Sequence, residues 1–346
     1  MAWRIGVDIG GTFTDVAMVD DATGRIGIAK VVTTPRDLTE GVIEAIRQGL
    51  RSHQVDPAEV RVLAHATTIV TNALLEKKGA KAGFVTTRGF RDVLELRRSS
   101  RADLYDLFQD APAVLVPRRW RFEVTERIDA QGQVVIPLDE GEVDDLIEAI
   151  RAAGLETVAV SLLFSFLNDT HERRLGERLR RELPGVVVYL SSEVLPEIRE
   201  FERASTTAVC ASVGPLLAGY LGRLQQVVYT LGLPQLYVMG SSGGIFDIAE
   251  ALRMPAMAIE SGPAAGVIAG TRRPGARPCQ PDFVRHGRDD REGEPDRRRR
   301  DSGDRRIRGR RRWCRKALAA GHWSPGPGAG CRSRRGQRRR GQHRLG

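Results

Sequence analysis

The chain has 346 residues and a formal net charge of +10, but the charge is unevenly distributed. Residues 271–346 contain 24 Arg and one Lys against eight Asp and Glu, a net charge of +17, which leaves −7 for residues 1–270. The basic character therefore belongs to the C-terminal segment alone. The acidic remainder excludes the basic composition of a nucleic-acid-binding domain.

Cysteine content and the N-terminal sequence indicate the compartment. Residues 1–270 contain one cysteine, Cys210, which offers no disulfide framework and suits a reducing environment. The first residues, MAWRIGVDIGG, lack the basic region and long apolar run of a signal peptide. No apolar run reaches the roughly 18–20 residues that a membrane span needs. We expect a cytoplasmic protein without membrane contact, with His53 and His171 at its surface and Cys210 in its core.

The predicted elements of the first 100 residues alternate between strands and helices. Three short strands, broken at Gly10-Gly11 and at 21–24, precede a helix, a strand, a second helix, a strand and the start of a third helix. In this order they lie within residues 4–34, 37–50, 59–68, 69–79, 81–87 and 89–98. Gly79 is expected to end the second helix.

The remaining elements complete an α/β pattern. Two strands within 120–137 precede an amphipathic helix at 138–154, with Asp139 as its N-cap and Gly154 as its stop. A nearly all-apolar strand, a charged helix, a strand, a largely helical segment and a strand ending in a Gly-rich turn follow, within 157–166, 168–183, 186–192, 197–232 and 235–246. The sum predicts a mixed sheet that opens with a β-hairpin rather than a β-α-β unit.

The strongest chemical signal is DIGGTFTD, residues 8–15. Two glycines at a hairpin turn let the backbone approach a ligand closely, and the exposed N–H groups can surround phosphate oxygens. Thr12 and Thr14 add hydroxyl donors, and Asp8 can hold Mg²⁺ directly or through water. A tight hairpin with an Asp-Gly turn is the alternative interpretation.

This octapeptide resembles the first phosphate-binding hairpin of the actin-like and sugar-kinase ATPases, and closely that of the hydantoinase/oxoprolinase family. The similarity continues in family order through HATTIVTNALLEKKGAKAGFVTTRGFRDVLEL (65–96), SSGG (241–244) and ESGPAAG (260–266). It implies an actin-like, ribonuclease-H-like ATPase lobe over residues 1–190, the start of a second lobe over 191–270, and a tail at 271–346.

The resemblance also implies a set of site residues. For ATP and Mg²⁺ they are Asp8, the metal ligand, with Gly10, Gly11, Thr12, Thr14, Gly243, Gly244 and Gly262; for catalysis they are His65, Asp92 and Asp15. For several of them a plainer role stays open. Thr67 and Thr68 suit N-capping as well as anion binding, Arg91 and Asp92 suit a solvated ion pair, and the small residues after Gly262 suit close helix packing.

The Arg-rich segment 271–346 shows neither strand nor helix periodicity, and its composition predicts disorder. Compatible codons for residues 281–296, read from the second base, permit LISFDMGGTTAKASLI, which resembles the family's second phosphate hairpin. The same frame over 337–345 permits SGGGASIAW, which resembles a later family block. We therefore expect an out-of-frame tail from about residue 271. An evolved nucleic-acid-binding tail is the alternative, but aromatic interleaving and RGG repeats are missing.

The family implies ATP-dependent ring opening of a cyclic amide such as a hydantoin or 5-oxoproline, with a companion subunit of the hydantoinase B type. Two alternatives remain from the sequence. One is the beta-type subunit of an ATP-dependent ketone carboxylase. The other is an inactive, truncated chain that lacks the second phosphate loop.

Overall fold

The computed structural model describes residues 2–34, 37–99, 105–106, 108, 113–262 and 264–265. Within them the protein is an α/β structure with a mixed sheet, as predicted. The expectations for the Arg-rich segment 271–346 concern residues outside the described ones.

The strands and helices lie close to their predicted positions. The strands are β1 (Trp3–Ile9), β2 (Phe13–Asp20), β3 (Ile26–Val32), β4 (Val60–Ala66), β5 (Ala82–Thr87), β6 (Arg121–Val124), β7 (Arg127–Ile128), β8 (Val134–Ile136), β9 (Thr157–Ser161), β10 (Val187–Leu190), β11 (Leu236–Met239) and β12 (Ile245–Phe246). The helices are α1 (Leu38–His53), α2 (Ile69–Leu75), α3 (Val93–Leu96), α4 (Glu140–Ala153), α5 (Thr170–Glu182), α6 (Ser191–Val194), α7 (Glu200–Thr230) and α8 (Ile248–Arg253).

A six-stranded sheet in the order β12-β11-β4-β1-β2-β3 carries the predicted phosphate hairpin. The first three strands pair antiparallel, β4 pairs parallel with β1, and β11 pairs parallel with β4. The alternating side chains of β1 place Ile5, Val7 and Ile9 in the core and leave Asp8 on the opposite face. Because β1, β4 and β11 are parallel, their carboxyl ends meet at one edge of the sheet.

A second, four-stranded sheet in the order β10-β9-β5-β6 is parallel throughout. Strand β9 is buried along its whole length, which explains its largely apolar sequence. The predicted domain boundary at residue 190 falls at the end of β10, the last strand of this sheet. The next strand, β11, joins the six-stranded sheet instead. The division into domains stays a prediction.

The predicted caps of α4 are confirmed, whereas the predicted end of α2 at Gly79 is wrong. Asp139 accepts hydrogen bonds from the N–H groups at the start of α4, and Gly154 ends it in the left-handed conformation. Helix α2 ends at Leu75, because Lys77 adopts the left-handed conformation at φ 55°. Gly79 serves packing instead: a Cβ atom built on it would lie 1.9 Å from Ser212 Oγ. The predicted third helix is shorter than expected, since α3 spans only Val93–Leu96.

The prediction for Cys210 is confirmed and that for His171 is wrong. Cys210 is fully buried on α7. His171 is buried as well. Its Nδ1 lies 2.8 Å from the carboxylate of Glu126, which is also buried. The polar residues next to His171 in the sequence indicated a surface position, and its partner Glu126 could not be identified because it is 45 positions away.

Helix α7 is long and apolar enough to cross a membrane by length and composition. Two thirds of its most apolar window, 67%, is buried inside the protein, as in the core helix of a globular domain. The cytoplasmic location stays a prediction.

Candidate functional site

The turn between β1 and β2 is closed by two interactions of Gly10. Its N–H donates to the carbonyl oxygen of Phe13 over 2.8 Å, and its own carbonyl accepts from Thr33 Oγ1 over 2.9 Å. A Cβ atom on Gly10 would lie 3.1 Å from the Phe13 oxygen, so the turn is too tight for a larger residue to fit without adjustment. A Cβ atom on Gly11 would meet nothing within 4 Å. Neither packing nor backbone conformation therefore requires glycine at position 11, and the turn leaves open space there.

The two predicted threonines face different environments. Thr12 is exposed at the turn. Thr14 is fully buried, and its Oγ1 lies 3.2 Å from Thr33 Oγ1, under the hairpin. The Thr14 hydroxyl is thus placed to support the turn through Thr33, and its predicted contact with phosphate stays untested.

Asp8 is the next-to-last residue of β1, just before the hairpin turn, and it is exposed to solvent. It pairs in register with Asp15 on β2. Loss of hydration, and then the charge of Asp15, raise the pKa of the Asp8 carboxyl. Asp15 itself is half exposed and forms an ion pair with Lys30 over 2.8 Å. Asp8 is therefore a carboxylate without a cationic partner among the described residues, which suits a cation ligand.

A distant segment lies against Asp8. A Cβ atom built on Gly262 would lie 3.0 Å from Asp8 Oδ1 and 3.4 Å from Oδ2. A larger residue at 262 would require the Asp8 carboxylate to shift by a few tenths of an ångström, so glycine suits this close approach. The predicted residues Asp8 and Gly262, 254 positions apart, are thereby brought together.

The residues after β4 connect these two segments. Thr68 Oγ1 donates to the carbonyl oxygen of Ile9 over 3.2 Å, and Thr67 Oγ1 accepts from the N–H of Ile69 at the start of α2. The N-cap of α2 is Thr68, whose side chain makes no capping hydrogen bond, so the capping interpretation is wrong for Thr68; the Thr67 hydroxyl, one residue earlier, bonds the first N–H of the helix. Residues 8–11, 67–71 and 260–262 meet at the carboxyl edge of the six-stranded sheet, and we name these three segments the junction.

His65 lies beneath the junction and not at its surface. It is fully buried on β4, with Nε2 2.8 Å from the hydroxyl of Tyr220 on α7. Burial lowers the pKa of His65 to about 4, so the ring is neutral near pH 7. A neutral buried ring that bonds Tyr220 suits a structural link between β4 and α7. The predicted catalytic role of His65 stays untested.

Asp92 lies in a different environment from Asp8. It follows β5 of the four-stranded sheet and accepts hydrogen bonds from Arg118 over 3.0 and 3.2 Å and from Arg121 over 3.4 Å. The Arg118 hydrogen bond holds the pKa of Asp92 below its usual value. Its described contacts include none of the junction residues. The alternative of an ion pair between Arg91 and Asp92 is wrong in its partners, because Asp92 pairs with Arg118 and Arg121 whereas Arg91 pairs with Glu123 over 3.3 Å. The predicted catalytic role of Asp92 stays a prediction.

Gly243 and Gly244 form the turn between β11 and β12. Gly243 adopts φ 90°, which explains its identity, and the N–H of Gly240 donates to the Gly244 oxygen over 2.8 Å. Since β11 is parallel to β4 and β1, this turn lies at the same sheet edge as the junction. Ser241 N–H donates to the Met257 oxygen over 2.7 Å, which ties the turn to the residues just before Glu260.

Sequence reasoning missed three residues of this site. Glu260 adopts the left-handed conformation at φ 59°, and its N–H donates to Thr71 Oγ1 over 3.2 Å. Ser261 is fully buried and bonds the backbone of Thr67 in both directions. Thr33 supports Gly10 from β3. The sequence ESG in front of Pro263 is a weak signal for the first two, and nothing local marks Thr33.

The order of the six-stranded sheet, with the glycine turn beside Asp8, is that of a ribonuclease-H-like, actin-like fold. The family model "Hydantoinase/oxoprolinase N-terminal region" matches residues 4–183, more than half of the chain, and "Hydantoinase/oxoprolinase" matches 203–279. The chain belongs to the hydantoinase/oxoprolinase family.

Relatives of known name include two lactam-cleaving enzymes. The chain is 34% identical to caprolactamase subunit alpha of Pseudomonas jessenii over 275 residues, which are 78% of this chain and 39% of that one. It is 28% identical to 5-oxoprolinase of Saccharomyces cerevisiae over 77% of this chain and 23% of that one. An uncharacterised protein of Methanocaldococcus jannaschii is 41% identical over 78% of this chain and 40% of its own.

Two solved structures share the fold. A crystal structure of the ATP-dependent caprolactamase from Pseudomonas jessenii matches with a TM-score of 0.70 and 33% identity, and a nucleotide-free acetone carboxylase with 0.69 and 27%. Each match covers 77% of this chain and 40% of the other. The chain thus spans about two fifths or less of the length of these relatives.

Proposed function

We propose that the chain is the nucleotide-binding part of an enzyme that uses ATP to open a cyclic amide. The observation that carries this proposal is the close approach of the Gly262 backbone to the Asp8 carboxylate, where a Cβ atom on Gly262 would lie 3.0 Å from Oδ1, beside an open Gly10-Gly11 turn. The named lactam-cleaving relatives support the substrate class. A cyclic amide is a poor electrophile, and phosphoryl transfer from ATP to its carbonyl oxygen would turn that oxygen into a leaving group for attack by water.

The junction fits Mg²⁺ and ATP on its own geometry. The space in front of Gly11 would be filled by any side chain there, and the N–H groups of Gly11 and Thr12 donate to no acceptor within the described part of the chain. These N–H groups are the donors we assign to phosphate oxygens. Asp8 would hold Mg²⁺ directly or through water, because hard cations prefer carboxylate oxygens. Because Gly262 has no side chain, its backbone can lie close to that carboxylate without filling the space around it.

The second candidate function is that of a ketone carboxylase subunit. It is supported by the likeness to acetone carboxylase, an enzyme of ATP-dependent acetone carboxylation, with a TM-score of 0.69. The fold and the junction serve both reactions equally, since both begin with phosphoryl transfer to an oxygen. A companion subunit belongs to the proposal in either case, because the caprolactamase relative is itself named as a subunit.

The test measures Mg·ATP binding and ADP release by the full chain. ADP release is followed with caprolactam, 5-oxoproline or a hydantoin, and separately with acetone and bicarbonate. The Asp8→Asn variant removes the proposed cation ligand. Asp145→Asn, an exposed carboxylate on α4, is its matched control.

Three outcomes separate the candidates. Lactam-stimulated ADP release that Asp8→Asn abolishes and Asp145→Asn retains supports the hydrolase, and stimulation by acetone with bicarbonate supports the carboxylase. Binding without turnover supports the inactive chain that lacks a second phosphate loop. If the chain does not bind Mg·ATP, the proposal that the junction is a nucleotide-binding site is refuted.

A further inference from the structure

Ser261 makes two hydrogen bonds to a residue 194 positions away. Its Oγ accepts from the N–H of Thr67 over 3.1 Å and donates to the carbonyl oxygen of Thr67 over 3.2 Å. Both residues are fully buried. One hydroxyl thus satisfies both backbone groups of a residue in another segment, which fixes the relative position of the two segments.

The backbone on either side of Ser261 is held as well. The N–H of Glu260 donates to Thr71 Oγ1 over 3.2 Å, and the left-handed φ of 59° at Glu260 turns the chain toward β4. Non-glycine residues adopt this conformation only where the surroundings enforce it. The residue after Ser261 is Gly262, where a Cβ atom would lie 3.0 Å from Asp8 Oδ1, so its backbone passes close to the carboxylate. Ser261 therefore lies between Glu260, which is bonded to α2 through Thr71, and Gly262, which lies close to Asp8.

We propose that Ser261 is a positioning residue for the nucleotide site, which acts on Asp8 through Gly262. This inference rests on the proposed function, since it needs Asp8 to hold the magnesium ion of Mg·ATP. Without the Ser261 hydroxyl, the two Thr67 backbone groups lose a buried partner, and the Gly262 backbone is no longer held against the carboxylate. Asp8 then has more than one orientation, and only the magnesium-dependent part of nucleotide binding suffers.

The test compares nucleotide affinities of the full chain with and without Mg²⁺, by titration of a fluorescent ATP analogue. For Ser261→Ala we expect affinity for the Mg²⁺ complex to fall about tenfold, the effect of one buried hydrogen bond. Affinity for the metal-free nucleotide should change by less than about twofold, because the Gly11 and Thr12 donors stay in place. Ser165→Ala is the matched control, since that buried serine bonds Ser191 instead, with 3.1 Å between the two Oγ atoms.

A double-mutant cycle with Asp8→Asn identifies the route of the effect. If Ser261 acts through Asp8, Ser261→Ala has no further effect in the Asp8→Asn background. Equal losses with and without Mg²⁺, additive losses in the cycle, or no loss at all would each refute the positioning role and leave the proposed function standing. A wild-type chain that does not bind Mg·ATP would refute both. Should Ser261→Ala unfold, Ser261→Cys keeps the volume and a weak donor, and an intermediate magnesium-dependent loss is then expected.

Discussion

Replacing Gly11 by Ala separates a phosphate-binding turn from an ordinary hairpin. A Cβ atom there meets nothing within 4 Å, and the backbone is outside the left-handed region, so the folded state accepts the methyl group without strain. The unfolded chain loses conformational freedom, and the free energy of unfolding should rise by about 0.4–1 kcal/mol. If phosphate occupies the open space, the same methyl group prevents its approach, and affinity for Mg·ATP should fall by about tenfold or more. The variant is thus expected to be more stable and to bind nucleotide less well.

Urea denaturation and nucleotide titration measure the two effects on the same samples. Gly185→Ala is the matched control, because a Cβ atom at that glycine also meets nothing within 4 Å. It should share the small gain in stability and leave nucleotide affinity unchanged. An unchanged affinity in Gly11→Ala would show that phosphate does not occupy this space, and the assignment of the turn would have to be given up.

Four further predictions concern other parts of the molecule. Glu260→Gly should raise the free energy of unfolding in urea by up to about 1 kcal/mol, because it removes the left-handed strain; a lower free energy of unfolding contradicts this. His171→Ala should destabilise by about 2–4 kcal/mol, because Glu126 Oε2 stays buried without a partner while Oε1 keeps its hydrogen bond from Thr87, yet nucleotide affinity should match wild type. Burial lowers the pKa of His65 to about 4, so its contribution is complete above pH 6.5 and is lost as pH falls toward 4, at most about 3 kcal/mol; unfolding curves of His65→Asn should lack this slope. Sequencing the coding DNA across codons 265–300 should show that the frame read from the second base encodes LISFDMGGTTAKASLI; codons that do not encode it in that frame refute the hypothesis of an out-of-frame tail.

The fold class and the glycine turn could be predicted because their signals are local. Periodicity located the strands, and the caps of α4 acted through residues two or three positions apart. The end of α2 could not be predicted in this way. Lys77 ends the helix although a glycine follows two positions later, and Gly79 is required by Ser212, which is remote in sequence. A glycine after a helix indicates its end only when packing does not already explain the glycine.

The motifs of the candidate site could be predicted from the sequence, but the contacts between them could not. Asp8 and Gly262 were each identified from short motifs, and the structure joins them by one close approach. The roles of Ser261 and Glu260 could not be predicted, because neither a buried hydroxyl nor a left-handed φ produces a periodic pattern in the sequence. Asp92 shows the opposite case: its motif suggested the site, but its charge is balanced by Arg118 and Arg121.

Helix α7 explains how the two sheets form one protein in the described part of the chain. Its first half contributes Ala204, Ala208 and Cys210 to the core against the four-stranded sheet, and its second half contributes Leu217, Tyr220 and Leu224 to the core under the six-stranded sheet. A helix that packs into two cores has little solvent-facing surface, which is why its sequence is apolar on nearly all sides. The same composition would suit a membrane span, but a span would leave Arg203 without its buried bonds to Ser191 and to the Leu162 oxygen. The fully buried Arg203 therefore favours the role of a core helix, and through Tyr220 and His65 this helix supports the strand that leads into the junction.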